Sequence, residues 1–216
     1  IDGVKKQERL LMEILPISYG KKRKEVLLHL VTICSNLDRF GIPCAELRGL
    51  KWIELLEKNH SLSQEEEWQV SEIKALLLNR SGNQDEFLPI WYKLLKQYRE
   101  ADRPEDVGKC LLTMANHFVM LEDYDNALPL YEEAYQLAVE YEFVDLQKSS
   151  GIMLIKHLCG AGYYSRSLEY YNKTNQEITF NPAMQNEVVK SYMELNKPDS
   201  ARIYLAKRLL LEGGNK

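Results

Sequence analysis

Metal or nucleophilic chemistry in this chain would have to start from four histidines, His29, His60, His117 and His157, and four cysteines, Cys34, Cys44, Cys110 and Cys159. No two cysteines are spaced C-x-x-C, and no histidine lies at a zinc-ligand interval from any of them. All four cysteines fall in or beside apolar helical stretches, where a thiol packs as a small hydrophobe. That usage leaves the redox compartment open. His117 and His157 stand forty residues apart and would hold one equivalent position in two repeats. A ligand pair or a pH sensor would need a third partner, so both are read as polar residues flanking a repeated slot. The paired carboxylates Glu65-Glu66-Glu67 and Glu132-Glu133 belong at helix starts or exposed faces, where acids are merely comfortable. There is no G-x-x-x-x-G-K or G-x-G-x-x-G phosphate loop, no H-E-x-x-H and no nucleophile elbow. The expectation is a chain that is not an enzyme, with no cofactor and no metal.

The elements that must position whatever function exists are helices. Apolar residues recur at spacings of three and four, without sustained strand alternation. The pattern predicts an all-α fold of about eleven helices, at 3–15, 22–38, 43–58, 64–79, 84–101, 104–121, 124–141, 144–160, 164–177, 182–195 and 198–211. Gly41-Ile42-Pro43, Ser81-Gly82-Asn83 and Asn181-Pro182 mark turns, and Ser63 with Glu66 forms a capping box for the fourth helix. Connections this short place neighbouring helices antiparallel.

One segment repeats. Leu111, Met114, Ala115 and Phe118 are followed by Ala127, Tyr131 and Ala134. Small residues at 115 and 127 let two helices approach closely, and the aromatics fill the space beside that contact. The same grid fits Leu154, Ile155 and Leu158 with Ser167, Tyr171 and Thr174. It fits again at Val188, Val189 and Tyr192 with Ala201, Leu205 and Arg208, and upstream at Lys74, Ala75 and Leu78 with Phe87, Trp91 and Leu94. The earliest pair is aligned only loosely, through Ala45, Gly49 and Trp52. This spacing resembles the tetratricopeptide repeat (TPR). Second-helix anchors at 87, 127, 167 and 201 are 40, 40 and 34 apart. The usual period is about 34, so the longer intervals imply longer helices.

The resemblance implies a right-handed α-solenoid of antiparallel helix pairs, with N-terminal helices or a degenerate capping repeat over 1–63, an array over 64–211 and a tail at 212–216. It also implies a concave groove lined by the first helix of each pair. Gln69, Glu72, Leu76, Leu112 and Ile152 fall on that face. So do Lys109, Asn116, Lys156, Asn186 and Lys190, the candidate ligand-binding residues. The expected partner is a protein or peptide seated in the groove. A full carboxylate clamp is disfavoured, since no Arg occupies the face and Leu112 and Ile152 interrupt it.

Net charge is -4, but unevenly spread: +3 over 1–60, -11 over 61–146 and +4 over 147–216. The acidic middle argues against nucleic acid as a partner, and the thirteen tyrosines read as packing groups at helical spacing. Lys21-Lys22-Arg23-Lys24 reads as a solvated helix end. No stretch reaches about 18 uncharged apolar residues, so no transmembrane segment is expected. The chain opens on Ile1 without a preceding Met, as a fragment or processed chain would. The apolar C-terminal helix with Leu205, Leu209, Leu210 and Leu211 could support a homodimer. Two functions fit: a stand-alone interaction scaffold, or the sensory or regulatory region of a larger bacterial signalling protein. The wording around Asp199–Leu205 resembles TPR regions of such bacterial proteins, which implies an extracytoplasmic region of a membrane-anchored protein, with a cytoplasmic one as the alternative.

Overall fold

The computed structural model describes residues 1–81, 83–174 and 182–213, with the side chains of 38, 84, 182, 183 and 207–213 outside that description. Eleven α-helices and no strand occur among these residues. They are α1 (Asp2–Ile14), α2 (Gly20–Arg39), α3 (Ala45–Asn59), α4 (Gln64–Arg80), α5 (Gln84–Glu100), α6 (Pro104–Met120), α7 (Tyr124–Glu140), α8 (Val144–Gly160), α9 (Tyr164–Lys173), α10 (Pro182–Glu194) and α11 (Pro198–Gly213). A single 3-10 turn, Leu15–Ile17, follows α1. The chain divides into two compact units, residues 1–97 and 98–216.

In the first unit α1 packs on α2, α2 on α3, and both α2 and α3 on α4. Leu27, Leu30, Ile53, Leu56 and Leu77 form its fully buried core. Gly49, only loosely placed by the repeat pattern, is a point of close approach: a Cβ there would stand 2.5 Å from Leu77 Cδ1 and 3.1 Å from Cys34 Cβ. The Ser63–Glu66 capping box forms as expected, with the Ser63 N–H donating to Glu66 Oε2 at 2.7 Å and the Glu66 N–H to Ser63 Oγ at 3.4 Å. Beneath α1 lies a charged cluster. Arg48 Nε donates to Glu8 Oε1 at 2.9 Å, and the Cys34 thiol donates to the same oxygen at 3.6 Å. Burial pushes that thiol up to about 12, so it stays protonated. The expectation for the cysteines fails at one site: Cys34, Cys110 and Cys159 are buried, but Cys44 is exposed. It caps α3 in a left-handed conformation, φ 59°, because the chain must turn sharply after Pro43 to start the helix at Ala45.

From α5, most of which belongs to the first unit, the chain runs into the second unit on a fixed step. Each of α5 to α8 has 17 residues, and three residues join each to the next. The middle turn residues, Asp102, Glu122, Glu142 and Gly162, are left-handed at φ 52°, 58°, 58° and 85°. Asn196 repeats this between α10 and α11 at φ 55°. In every such turn the following N–H reaches back five residues: Arg103 to Tyr98 O, Asp123 to Phe118 O, Phe143 to Ala138 O, Tyr163 to Leu158 O and Lys197 to Tyr192 O, at 2.8–3.0 Å. This closes the orphan carbonyls of the helix end in a Schellman arrangement. Seventeen helical residues and three of turn make a step of twenty, and two steps make the forty-residue period.

The repeat grid lands in the core. Leu111, Met114, Ala115, Ala127, Tyr131, Ala134, Leu154, Ile155, Leu158 and Ser167 are buried, nearly all of them completely. The grid loosens toward the C-terminus, where Tyr171 is half-buried and Leu205 exposed. The helix expected over 164–177 ends at Lys173, with Thr174 extended (ψ 145°), and residues 175–181 lie outside the described ones. So do the side chains of Arg208, Leu209, Leu210 and Leu211, on which the last grid position and the homodimer expectation rest.

Candidate partner-binding face

In the second unit α6 packs on α8 and α8 on α10, so the first helices of successive pairs form one layer. The second helices form another: Tyr135 of α7 meets Tyr170 of α9 edge-on at 5.5 Å, and Glu132 of α7 accepts from Arg166 and from the Tyr170 hydroxyl. All five candidate residues are exposed on the first layer: Lys109 and Asn116 on α6, Lys156 on α8, Asn186 and Lys190 on α10. The repeat offset makes Asn116, Lys156 and Lys190 equivalent, and Leu112, Ile152 and Asn186 likewise. Gln69, Glu72 and Leu76 belong to α4 in the first unit.

The five are not alike in charge. Lys109 Nζ lies 2.7 Å from Glu105 Oε1, one turn earlier, so its charge is already answered. Among the described residues no carboxylate lies within ion-pair distance of Lys156. Lys190 instead sits over the Tyr164 ring, 6.0 Å from its centroid, a cation–π contact that positions the ammonium without neutralising it. Asn116 accepts the Tyr131 hydroxyl proton on Oδ1 at 2.5 Å. Burial drives the Tyr131 phenol above its ordinary range, so it remains the donor. With one lone pair of its oxygen taken by Tyr131, Asn116 offers the face its two amide N–H groups beside the remaining lone pair. The equivalent positions therefore present mainly donors: an amide NH2 and two ammonium groups.

The two histidines are not flanking residues. Both are buried, because the slot before Phe118 and Leu158 turns inward against the second helices. His157 stacks on Tyr131 at 5.5 Å and 9° and lies 6.2 Å from the Tyr124 ring. Burial, and secondarily Lys156, lowers its pKa; burial alone lowers that of His117. Tyr131 therefore touches the face from behind, through Asn116, and packs on His157 beside Lys156. Its packing role was legible from spacing, whereas its hydroxyl contact was not, since nothing in a repeat pattern reports where a phenol oxygen points. Among the described residues no group of three metal-ligating side chains converges, and no helix is long and apolar enough to cross a membrane.

The fold defines a class: an all-α helical-repeat fold of antiparallel helix pairs, TPR-like. Two solved structures carry that assignment. BtubC (BKLC) from P. vanneervenii matches with a TM-score of 0.67 at 12% identity, over 98% of this chain and 90% of that one. Aspartyl phosphate phosphatase F from Bacillus subtilis matches with a TM-score of 0.66 at 13% identity, over 97% of this chain and 64% of that one, just under two thirds of the phosphatase. No protein-family model matches the sequence, and no curated protein matches it.

Proposed function

We propose that the chain is a non-enzymatic scaffold that binds a protein or peptide segment on the first-helix layer of its second unit, and that the bound segment is anionic. The observation behind this is the donor-rich, doubly cationic row at Asn116, Lys156 and Lys190, exposed on three helices that pack in sequence. Such a row suits carboxylates and main-chain carbonyls and rejects cations. Leu112 and Ile152, half-buried between those donors, add apolar footing toward α6, so an acidic stretch would lie toward α10. The test is selection of dodecapeptides displayed on phage against the wild-type chain, followed by affinity measurement against Lys156→Glu/Lys190→Glu. Acidic residues should be enriched, and binding should weaken at least tenfold in the double variant with helicity intact. Equal affinity for both proteins removes the reading.

A second reading, the regulatory region of a larger bacterial signalling protein, draws on the likeness to the Bacillus subtilis phosphatase, a longer chain than this one. Should the chain itself act on acyl phosphates, acetyl phosphate hydrolysis would exceed the buffer rate; the scaffold reading expects no excess.

A further inference from the structure

The first unit carries a groove of about 830 Å3 between α1, α2 and α4, unlike the face just described. Leu10 and Leu11 of α1 with Leu28 and Ile33 of α2 supply its apolar lining. Half of its polar groups are already committed. Thr32 Oγ1 donates to Leu28 O at 3.0 Å, and His29 Nδ1 lies 2.8 Å from Glu25 O. Glu66, its one carboxylate, pairs with Lys24 Nζ at 2.5 Å and accepts from the Ser63 N–H in the capping box. These bonds hold its carboxyl below the ordinary range, Lys24 contributing most. The groove therefore has no unanswered charge.

Three lining groups remain uncommitted, one from each helix. The side-chain amides of Gln7, Asn36 and Gln69 make no hydrogen bond to any described residue. Each offers donors and an acceptor together, the same pair of functions that a peptide unit presents. A helical ligand satisfies its main chain internally and would leave them idle, whereas an extended one has N–H and C=O groups to give. The volume lies within the range of about 300–1,000 Å3 usual for ligand sites.

We propose that this groove binds an extended, uncharged, leucine-type peptide segment, held at its main chain by the amides of Gln7, Asn36 and Gln69 and seated by an apolar side chain on Leu11, Leu28 and Ile33. The site lies in the first unit and selects ligand chemistry opposite to that of the cationic face in the second.

The probes are Ac-Leu-Ala-Leu-NHMe and Ac-Asp-Ala-Asp-NHMe, titrated into the full chain labelled at Leu and Ile methyls and at side-chain amides. The leucine peptide should give saturable shifts at the Leu11, Leu28 and Ile33 methyls and the Gln7, Asn36 and Gln69 NH2 groups. The aspartyl peptide should bind at least tenfold more weakly. Gln7→Leu/Gln69→Leu, both exposed positions, should keep its helicity and lose about tenfold in affinity, and Thr32→Trp should block the groove. Absence of saturation at those methyls, equal binding of the aspartyl peptide, or full affinity in the Gln7→Leu/Gln69→Leu variant would each overturn the proposal.

Discussion

The two units solve one problem, stacking helices at close range, by different means. The second uses a metronomic step in which 17-residue helices (α6 to α8) and three-residue turns recur, with small residues at the equivalent positions 127, 167 and 201. The first uses helices of 13, 20, 15 and 17 residues and ties them with individual contacts: Glu8 to Arg48, Lys24 to Glu66, and Gly49 against Leu77. Regularity spreads stabilisation over many equivalent contacts; irregularity concentrates it in a few. The polar surfaces diverge in parallel, with charged donors on the repeats and neutral amides in the groove of the first unit.

Substitutions can break this contrast. Ala127→Arg strikes a fully buried close-contact position; overpacking alone costs about 1–3 kcal/mol, and burying an unpaired charge adds more. Thermal melting should show the second unit unfolded or its transition lowered by well over 10 °C, and an unchanged melt would discredit the repeat alignment. Glu8→Ala tests concentration in the first unit, since it strands the Arg48 guanidinium. A fully buried broken pair costs about 3–5 kcal/mol. Arg48 is about a third exposed, so urea unfolding should show a smaller loss, about 2 kcal/mol.

The turns give a gain instead. An L-residue in the left-handed region costs about 1–2 kcal/mol, partly offset in glycine by its greater loss of chain entropy, about 0.5–1 kcal/mol. Glu122→Gly and Glu142→Gly should each raise stability by about 0.5 kcal/mol, and do so additively because the steps are equivalent. The smallest effect is in pH dependence. His117 and His157 are held neutral in the fold by lowered pKa values, so below about 6.5 the unfolded chain takes up protons that the native one does not. Stability should therefore be fully present at pH 7 and decline as pH falls through 6.5 toward the folded values. His157→Phe, which keeps a ring against Tyr131, should flatten that slope when melts are compared between pH 7 and pH 5.

Much of the second unit was legible in the sequence because its helices obey one spacing, and Ala115, Ala127, Tyr131 and Ser167 were placed in the core by position alone. The turns were less so. Asp102, Glu122 and Glu142 adopt a backbone that glycine usually announces, and acidic residues give no such signal. In the first unit, Glu8, Cys34 and Arg48 are far apart in the chain and meet only through three-dimensional packing, so no local pattern joins them. On the candidate face, exposure and equivalence followed from helical register. The contacts that distinguish its members, Glu105 to Lys109, Tyr131 to Asn116 and Tyr164 to Lys190, depend on side-chain directions that register does not carry.

The central claim is that the second unit's first-helix layer is the partner-binding face and that it reads negative charge. The most direct measurement is an NMR titration of the labelled chain with an acidic peptide from the phage selection, repeated at low and high salt. The account predicts shifts along the exposed faces of α6, α8 and α10, centred on Asn116, Lys156 and Lys190, and weakening as salt rises. Shifts confined to α7 and α9 or to the first unit, or an affinity indifferent to salt, would contradict it.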